Sequence, residues 1–145
     1  MAVELSRACR YRQPLSIAMV DVDHFKAFND LHGHAAGDTA LRVIASTLLK
    51  SFRQSDIVVR YGGEEFVIVM PETDMATASQ KLEAVRQTIA DTPIQLNVTG
   101  QAVRITISAG LAGLPDNGVR AEELLRAADA RLFQAKGAGR NRIVV

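Results

Sequence analysis

Two adjacent carboxylates near the middle of the chain, Glu64 and Glu65, have the residue types and spacing to support catalysis. They follow a glycine pair, Gly62 and Gly63, and apolar or β-branched runs flank the group on both sides. Such runs predict two strands joined by a tight hairpin turn, in which the glycines supply positive φ angles. Adjacent acids at a turn repel each other, whereas a phosphate-handling site uses them to hold a divalent cation. The group therefore predicts metal-assisted chemistry at a hairpin tip.

A second pair of carboxylates, Asp21 and Asp23, ends an apolar run that begins at Leu15. A continuous run of this length is typical of a buried strand whose last residues reach a polar site. If that strand neighbours the hairpin, Asp21 and Glu64 come together as candidate metal ligands; the alternative is that both are solvated, at a strand end and a turn. For Asp23 the alternative is stronger, because its carboxylate is well placed to cap a helix that starts at His24.

The rest of the chain alternates helices and strands. Apolar residues spaced by three and four predict amphipathic helices, and β-branched runs bounded by glycine or proline predict strands. The predicted elements are a helix over residues 1–13, a strand over 15–22, a short helix over 24–31, a loop over 32–38, a long helix over 41–52, a hairpin over 57–70, a helix over 75–89 capped by Asp74, strands over 94–99 and 103–110 joined at Gly100, a helix over 121–135 and a strand over 142–145. The core-facing stripe of the long helix is predicted to be Leu41, Ile44, Ala45, Leu48, Leu49 and Phe52. These elements predict one α/β domain with a mixed sheet.

Length and composition narrow the class of protein. A chain of 145 residues with 48% hydrophobic and 23% charged residues is typical of one globular domain. The net charge of +1 argues against a protein that coats nucleic acid, although local cations can still bind the phosphates of a nucleotide. A single cysteine, Cys9, allows no internal disulfide. Neither a membrane-spanning apolar run nor a signal-peptide pattern is present, so we expect a cytoplasmic domain without membrane contact.

Three blocks of the sequence resemble the GGDEF family of diguanylate cyclase domains. They are Asp21-Val22-Asp23-His24-Phe25-Lys26, then Asn29-Asp30-Leu31-His32-Gly33-His34-Ala35-Ala36-Gly37-Asp38, then Gly62-Gly63-Glu64-Glu65-Phe66, and they occur in the family's order and spacing. The segments from Thr106 to Gly110 and from Ala128 to Asn141 resemble the family as well, so the likeness covers nearly everything from Leu15 onward. The fold that this resemblance implies is α/β (α+β): a palm-like mixed, mostly antiparallel sheet surrounded by helices, similar to that of nucleotidyl cyclases.

The start of the chain departs from the family pattern. Members usually begin with an Asp-x-Leu-Thr-x-Leu-x-Asn-Arg sequence, and none precedes Leu15. We therefore expect residues 1–145 to be a single GGDEF domain shortened at its N-terminus, with 1–13 as the remainder of its first helix. The resemblance implies an upstream sensory domain in the full-length protein, and any membrane anchor would lie in that preceding region. Phe133 stands where a tyrosine is common in the family.

The resemblance also implies a reaction, in which two GTP molecules condense into cyclic di-GMP and two pyrophosphates leave. Asp21, Glu64 and the Val22 carbonyl would hold Mg²⁺ or Mn²⁺, with two ions per active site. Glu65 would accept the proton of the attacking 3′-hydroxyl, or it would instead assist the metal. Lys26 would neutralise the charge that develops on the phosphate; the alternative is an exposed lysine on a solvated face.

Guanine presents donors on one edge and acceptors on another, so its recognition requires an acid and an amide side chain. Asp38 and Asn29 are the candidates, with a helix cap and a turn residue as their respective alternatives. The resemblance adds His34 as a nucleotide contact. Gly33 and Gly37 would let the backbone amides of their predicted loop approach phosphates.

Two cations near the C-terminus are candidates for binding the triphosphate. Lys136 and Arg140 are four residues apart around a predicted helix end, where both can face phosphate oxygens. The alternative is that both are solvated at the helix end. Gly62 and Gly63 lack side chains, which would leave room for a nucleotide beside the backbone of the hairpin.

Arg53 and Asp56 form an Arg-x-x-Asp sequence shortly before the glycine pair, in a position similar to the family's inhibitory product site. The guanidinium can bind a guanine edge or a phosphate, and the carboxylate can accept from guanine; the alternative is an ordinary i,i+3 salt bridge. Each domain would bind one GTP, so catalysis would require a homodimer, which can be transient. A non-catalytic cyclic di-GMP or GTP-binding regulatory module, or a different nucleotidyl cyclase, is the alternative function.

Overall fold

The computed structural model describes all residues from Met1 to Val145. The helices are α1 (Ala2–Tyr11), α2 (Phe25–His32), α3 (His34–Ser51), α4 (Met75–Asp91) and α5 (Ala121–Gly137). The strands are β1 (Leu15–Val22), β2 (Ile57–Arg60), β3 (Glu65–Pro71), β4 (Ile94–Gln95), β5 (Ala102–Val103), β6 (Ile107–Gly113) and β7 (Ile143–Val144). All of the predicted helices are present, and none of them has the length and apolar character needed to cross a membrane.

Five strands form one sheet in the order β2-β3-β1-β6-β7, with β1 in the middle. β1 pairs antiparallel with β3 and with β6, and β2 pairs antiparallel with β3. Only β7 runs parallel to its neighbour, β6. β4 and β5 form a separate antiparallel pair. The prediction of a mixed, mostly antiparallel sheet is therefore confirmed.

Helices cover both faces of the sheet because successive side chains of a strand point to opposite sides. Ala18 and Val20 of β1 belong to a core that includes apolar residues of α3 and α4. Ile17 and Met19 of the same strand belong to a second core, formed with α1 and α5. Every residue of β1 is buried, which explains its uninterrupted apolar run. Asp21 and Asp23 therefore lie at the end of a fully buried strand.

The predicted loop over residues 32–38 is mostly helical. α2 ends at His32 and α3 begins at His34, so Gly33, with φ +88°, is the single residue between them. Gly37 lies inside α3 and is buried, and Asp38 follows it on the same helix. The contact of Gly37 with α2 outweighs the low helix propensity of glycine. The prediction of a loop over residues 32–38 is therefore wrong, while the approach of phosphates to the backbone amides near Gly33 stays a prediction.

Three further predictions differ in detail. The strand predicted over 94–99 is only Ile94–Gln95, and the strand predicted over 103–110 divides into β5 and β6. Gly100 makes the predicted turn, with φ +67°. Leu49 is 62% exposed, so the buried stripe of α3 is narrower than its apolar residues indicated.

The β2–β3 hairpin contains the glycine pair, but its turn is of another kind than predicted. β2 ends at Arg60 and β3 begins at Glu65, and neither Gly62 nor Gly63 has a positive φ. The amides of Tyr61 and Gly62 both donate to the carbonyl of Glu65, at 2.8 and 3.3 Å. A wider loop, closed by this shared acceptor, replaces the tight turn with positive φ angles.

Candidate active site

β1 and β3 bring the predicted metal ligands to the same end of the sheet. Asp21 is the partner of Glu65 in the β1–β3 ladder, and the Val22 amide donates to the Glu64 carbonyl at 3.2 Å. Asp21 is buried at 5% exposure, and Glu64 is half-buried. The last residues of β1 thus lie beside the final residue of the hairpin loop.

The carboxylates of Asp21 and Glu64 repel each other at this position. Partial burial raises the pKa of Glu64, and the charge of Asp21 raises it further, while Lys136 acts in the opposite direction. Lys136 Nζ lies 2.8 Å from Asp21 Oδ2 and is the one cation that forms an ion pair with either carboxylate. The site therefore carries excess negative charge that a bound cation would neutralise.

This donor set fits a hard divalent cation. Carboxylate and carbonyl oxygens are the ligands that Mg²⁺ and Mn²⁺ prefer, and Asp21, Glu64 and the Val22 carbonyl supply them. The chain has no group of three or more His, Cys, Asp or Glu side chains placed to hold an ion. A cation bound here would therefore take its remaining ligands from water or from substrate phosphates, as Mg²⁺ commonly does.

Glu65 is half-buried at the start of β3, and its side chain packs against Gly62. A Cβ added at Gly62 would lie 2.8 Å from Glu65 Oε2, so the missing side chain there makes room for Glu65. An added Cβ at Gly63 would have no neighbour within 4 Å. Of the two glycines, Gly63 is therefore the one that leaves open space beside the hairpin.

Arg60 organises the hairpin loop and was missed by the sequence reasoning. Its Nε donates to the carbonyls of Gly62 and Gly63, both at 3.2 Å, and its Nη2 donates to Gly63 O at 2.6 Å. A guanidinium has enough donors in one plane to bind two carbonyls at once. The signal available in the sequence was an arginine two residues before glycines whose carbonyls have no strand partner.

Asp23 is not the helix cap that its position indicated. Its carboxylate is 4% exposed and accepts hydrogen bonds from Thr106 Oγ1 at 2.7 Å, Ser108 Oγ at 2.6 Å and the Asn141 amide at 2.9 Å. The residue before α2 is His24, in a left-handed conformation and without a side-chain cap. Asp23 instead joins β1 to β6 and to the segment that follows α5.

Asn29 lies on α2 against Gly37 of α3. A Cβ added at Gly37 would overlap Asn29 Oδ1, so the glycine is what allows the two helices to approach here. Asn29 Oδ1 is buried and accepts no hydrogen bond from the protein. Because a buried acceptor without a donor costs free energy, this oxygen is suited to receive an N–H group from a ligand.

Asp38 is exposed on α3, and the N-cap of that helix is Gly33, so the helix-cap alternative is wrong. Asp38 lines a cavity of about 370 Å³ together with Arg60, between α3 and the hairpin. It also lines a cavity of about 780 Å³ together with His34. Asn29 lines neither cavity. The structure thus places Asp38 beside His34, but it does not place the two predicted guanine contacts in one cavity.

The predicted phosphate-binding cations have different surroundings. Lys26 is exposed in the first turn of α2, and Arg140 is half-buried; neither forms an ion pair. Lys136 lies in the last turn of α5, whereas Arg140 follows the end of that helix with φ +63°. Lys136 and Arg140 thus lie on either side of the end of α5, as their spacing predicted, and their binding of phosphate stays a prediction.

Comparison with protein families covers nearly the whole chain. A profile described as "Diguanylate cyclase, GGDEF domain" matches residues 1–142. The chain belongs to the GGDEF family. This GGDEF domain is 42% identical over 142 residues to the diguanylate cyclase DgcP of Pseudomonas aeruginosa, a match that covers 98% of the chain and 21% of DgcP. It is 38% identical over 140 residues to the response regulator PleD of Caulobacter vibrioides, covering 97% of the chain and 31% of PleD.

The chain thus spans less than a third of the length of these two curated relatives. For solved GGDEF domains, the match covers a larger share of the other protein's chain. The GGDEF domain of DgcB from Caulobacter crescentus, solved in complex with c-di-GMP, has a TM-score of 0.92 and 30% identity, covering 99% of this chain and 84% of that one. The GGEEF domain of a diguanylate cyclase from Vibrio cholerae has a TM-score of 0.90 and 34% identity, covering 99% and 89%. These matches confirm the predicted palm-like, nucleotidyl-cyclase-like fold.

Arg53 and Asp56, the predicted product site of the GGDEF domain, lie between α3 and β2. The Arg53 amide donates to Asp56 Oδ2 at 2.8 Å, and Lys81 Nζ of α4 lies 3.0 Å from the same oxygen. The Arg53 guanidinium is exposed and forms no ion pair, so the i,i+3 salt-bridge alternative is wrong. The Asp56 side chain is only 1% exposed, and its Oδ1 accepts no hydrogen bond. Direct contact between Asp56 and a guanine therefore requires Lys81 or its neighbours to move.

Proposed function

We propose that this GGDEF domain is the catalytic domain of a diguanylate cyclase, which condenses two GTP molecules into cyclic di-GMP and two pyrophosphates. One observation carries the proposal: Asp21 of β1, Glu64 of the hairpin loop and Lys136 of α5 converge at one end of the sheet. They bring two carboxylates and one cation together. Such a group can hold both a divalent cation and a phosphate. The similarity to named diguanylate cyclases supports the same reaction.

In this reaction the 3′-hydroxyl oxygen of each GTP attacks the α-phosphorus of the other. A phosphodiester bond forms, the bond from the α-phosphorus to the bridging oxygen of the pyrophosphate breaks, and the hydroxyl proton passes to a base. Asp21, Glu64 and the Val22 carbonyl would hold Mg²⁺ or Mn²⁺, two ions per active site, which would lower the pKa of the hydroxyl and neutralise phosphate charge. Glu65, at the start of β3, accepts the proton.

Lys136 has two partners in this scheme. Without nucleotide it neutralises Asp21 at 2.8 Å. If Asp21 held a divalent cation, Lys136 would be released from this ion pair and could bind the triphosphate together with Arg140. Lys26, which has no acidic partner in the protein, neutralises charge on the transferred phosphate.

Guanine is recognised by side chains of α2 and α3. The exposed carboxylate of Asp38 accepts from one guanine N–H. Asn29 Oδ1, buried without a donor and outside the cavities that Asp38 lines, accepts from another once binding of the nucleotide exposes it. His34 lies beside Asp38 in the larger cavity, where it contacts the nucleotide. Gly63 leaves open space for the approach of the substrate to the hairpin.

Each domain binds one GTP, so two copies must face each other for the condensation. A GGDEF domain similar to this one was solved in complex with c-di-GMP, which supports binding of the product here as well. We place the inhibitory product site at Arg53 and Asp56.

In the full-length protein, a sensory domain upstream of this chain would control whether two copies of the domain dimerise with their active sites facing each other.

A non-catalytic receptor for cyclic di-GMP is the second candidate, because the exposed Arg53 guanidinium forms no ion pair and is free to bind a ligand. A turnover assay separates the two functions. The protein is incubated at rising concentration with Mg²⁺ and either GTP or ATP, and products are identified by mass. We expect cyclic di-GMP to form from GTP and no cyclic dinucleotide to form from ATP. If no product forms at the highest protein concentration, the catalytic proposal is excluded and the receptor function is the one that remains.

A further inference from the structure

Three residues outside the predicted site, Asp23, Arg86 and Asn141, form a connected group that we call the clamp. The Asp23 carboxylate accepts a hydrogen bond from the backbone N–H of Asn141 at 2.9 Å. Arg86 Nη1 donates to the side-chain oxygen of Asn141, Oδ1, at 2.5 Å. Asn141 is thus held by its backbone to the end of β1 and by its side chain to α4. These contacts join segments that are 118 and 55 residues apart.

Both charged members of the clamp are buried and well satisfied. Asp23 is 4% exposed and also accepts from the hydroxyls of Thr106 and Ser108. Arg86 is 9% exposed and donates to both carboxylate oxygens of Glu83, at 3.0 and 2.5 Å. Buried charges are costly unless their hydrogen bonds are complete, and a complete network is rigid. The clamp is therefore suited to fixing the position of the residue that it holds.

The segment held by the clamp contains Arg140. Arg140 and Asn141 both adopt left-handed conformations, with φ +63° and +48°. Asparagine adopts this conformation more readily than most residues, whereas arginine rarely does, so the conformation of Arg140 depends on its surroundings. The other end of the segment is anchored by Lys136, which binds Asp21 at 2.8 Å. The turn after α5 is therefore bound at one end to Asp21 of β1 and at the other to Asp23, which directly follows that strand.

We propose that the clamp positions Arg140, together with Lys136, to bind the triphosphate of the nucleotide. Asp23, Arg86 and Asn141 are positioning residues: Arg86 acts through Asn141 and does not touch the substrate. The inference rests on the proposed GTP chemistry. Arg140 has no carboxylate partner in the protein, so its guanidinium is available for phosphate once its backbone is held.

The test measures nucleotide affinity rather than turnover. 3′-Deoxy-GTP lacks the attacking hydroxyl, and GMP lacks the β- and γ-phosphates, so calorimetry with each ligand and Mg²⁺ separates triphosphate binding from base binding. Asn141→Gly keeps the backbone amide and the left-handed conformation but removes the acceptor for Arg86. We expect Asn141→Gly to weaken 3′-deoxy-GTP binding by about tenfold and GMP binding by less than about twofold.

Arg86→Met is expected to have the same selective effect, and the double variant should lose no more than either single variant, because both remove one interaction. Arg126→Met is the control, since Arg126 is exposed on α5 and forms no hydrogen bond or ion pair. Thermal unfolding checks that each variant is folded. If Arg86→Met does not fold, the affinities of Asn141→Gly for 3′-deoxy-GTP and GMP are the test of the positioning role.

Unchanged 3′-deoxy-GTP affinity in Asn141→Gly, or an equal loss for GMP and 3′-deoxy-GTP, would overturn the positioning role. The result is separable from the proposed activity. If the variants selectively lose triphosphate binding while the unaltered protein makes no cyclic di-GMP, the positioning role of the clamp is supported and the diguanylate cyclase activity is excluded. If the unaltered protein makes cyclic di-GMP and the variants bind 3′-deoxy-GTP normally, the activity is supported and the positioning role is excluded.

Discussion

Lys136 Nζ lies 2.8 Å from Asp21 Oδ2, so the last turn of α5 is joined to the end of β1 by an ion pair inside the candidate active site. The two residues have different proposed ligands, a metal ion for Asp21 and the triphosphate for Lys136. While they bind each other, neither is fully available. Binding of the metal and binding of the nucleotide are therefore expected to strengthen each other.

Replacement of Lys136 by methionine tests this competition. Removing the ammonium leaves Asp21 without its cation, so the nucleotide-free protein should bind Mn²⁺ about fivefold more tightly, whereas 3′-deoxy-GTP should bind about fivefold more weakly. Electron paramagnetic resonance measures free Mn²⁺, and calorimetry measures the nucleotide. Lys50→Met, an exposed lysine in the last turn of α3, is the matched control. Weaker Mn²⁺ binding in Lys136→Met would show that the ammonium does not compete.

The raised pKa of Glu64 predicts a pH dependence of stability in metal-free protein. Partial burial and then the Asp21 charge raise this pKa above the ordinary value of 4.5, so the folded state holds a proton that the unfolded state has lost. The contribution of Glu64 to stability therefore falls as the pH rises from 4.5 through the raised pKa. Glu64→Gln lacks this titration and should become increasingly more stable than the unaltered protein across that range.

The measurement is the melting temperature of both proteins in EDTA from about pH 4 to about pH 7. Glu122→Gln, at an exposed glutamate on α5, should follow the unaltered protein. The difference in melting temperature between Glu64→Gln and the unaltered protein should widen with rising pH. If it stays constant or narrows, the electrostatic description of the site is contradicted. Added Mg²⁺ should close the gap, since the cation stabilises the ionised carboxylate.

Gly37→Ala tests the contact between α2 and α3. The new methyl group would overlap Asn29 Oδ1, so we expect the free energy of unfolding to fall by about 1–3 kcal/mol and GMP to bind more weakly as Asn29 is displaced. Gly137→Ala is the control, because a Cβ there meets no atom within 4 Å; it should raise the free energy of unfolding by about 0.5–1 kcal/mol. Normal stability and GMP affinity in Gly37→Ala would exclude a precise role for Asn29.

Arg53→Ala tests the product site. The Arg53 guanidinium is exposed and has no partner in the protein, so its removal should leave the fold intact while weakening cyclic di-GMP binding by about tenfold or more. Calorimetry with cyclic di-GMP gives the affinity, and Arg126→Ala is the control. Unchanged affinity in Arg53→Ala would exclude this site for the product under either of the proposed functions.

Local patterns were enough to predict one α/β domain with a mixed sheet, whereas the family resemblance implied its mostly antiparallel, palm-like arrangement. The apolar run from Leu15, the three-and-four spacing of the helices and the acids at 21, 64 and 65 indicated a buried strand beside a hairpin, and the sheet has that arrangement. Each of these signals depends on a few consecutive residues. The position of Asp21 level with Glu65 follows from the register of adjacent strands, which the burial of β1 determines.

The partners of the site residues were not predictable in the same way. Lys136 meets Asp21 across 115 positions, and Lys81 meets Asp56 across 25. Asp23 has the sequence context of a helix cap, yet its donors come from residues 83 to 118 positions away. Such contacts depend on how distant segments pack, and no spacing along the chain encodes them. The wide hairpin loop was missed for a related reason, since the guanidinium of Arg60 supports it in place of positive φ angles.

The most direct test of the central claim is the stoichiometry of products from GTP and Mg²⁺. We predict two pyrophosphates for each cyclic di-GMP, at a rate that rises more steeply than protein concentration because two domains must meet, and loss of both products in Asp21→Asn. Release of orthophosphate in place of pyrophosphate, or no cyclic di-GMP at the highest protein concentration, would contradict a diguanylate cyclase.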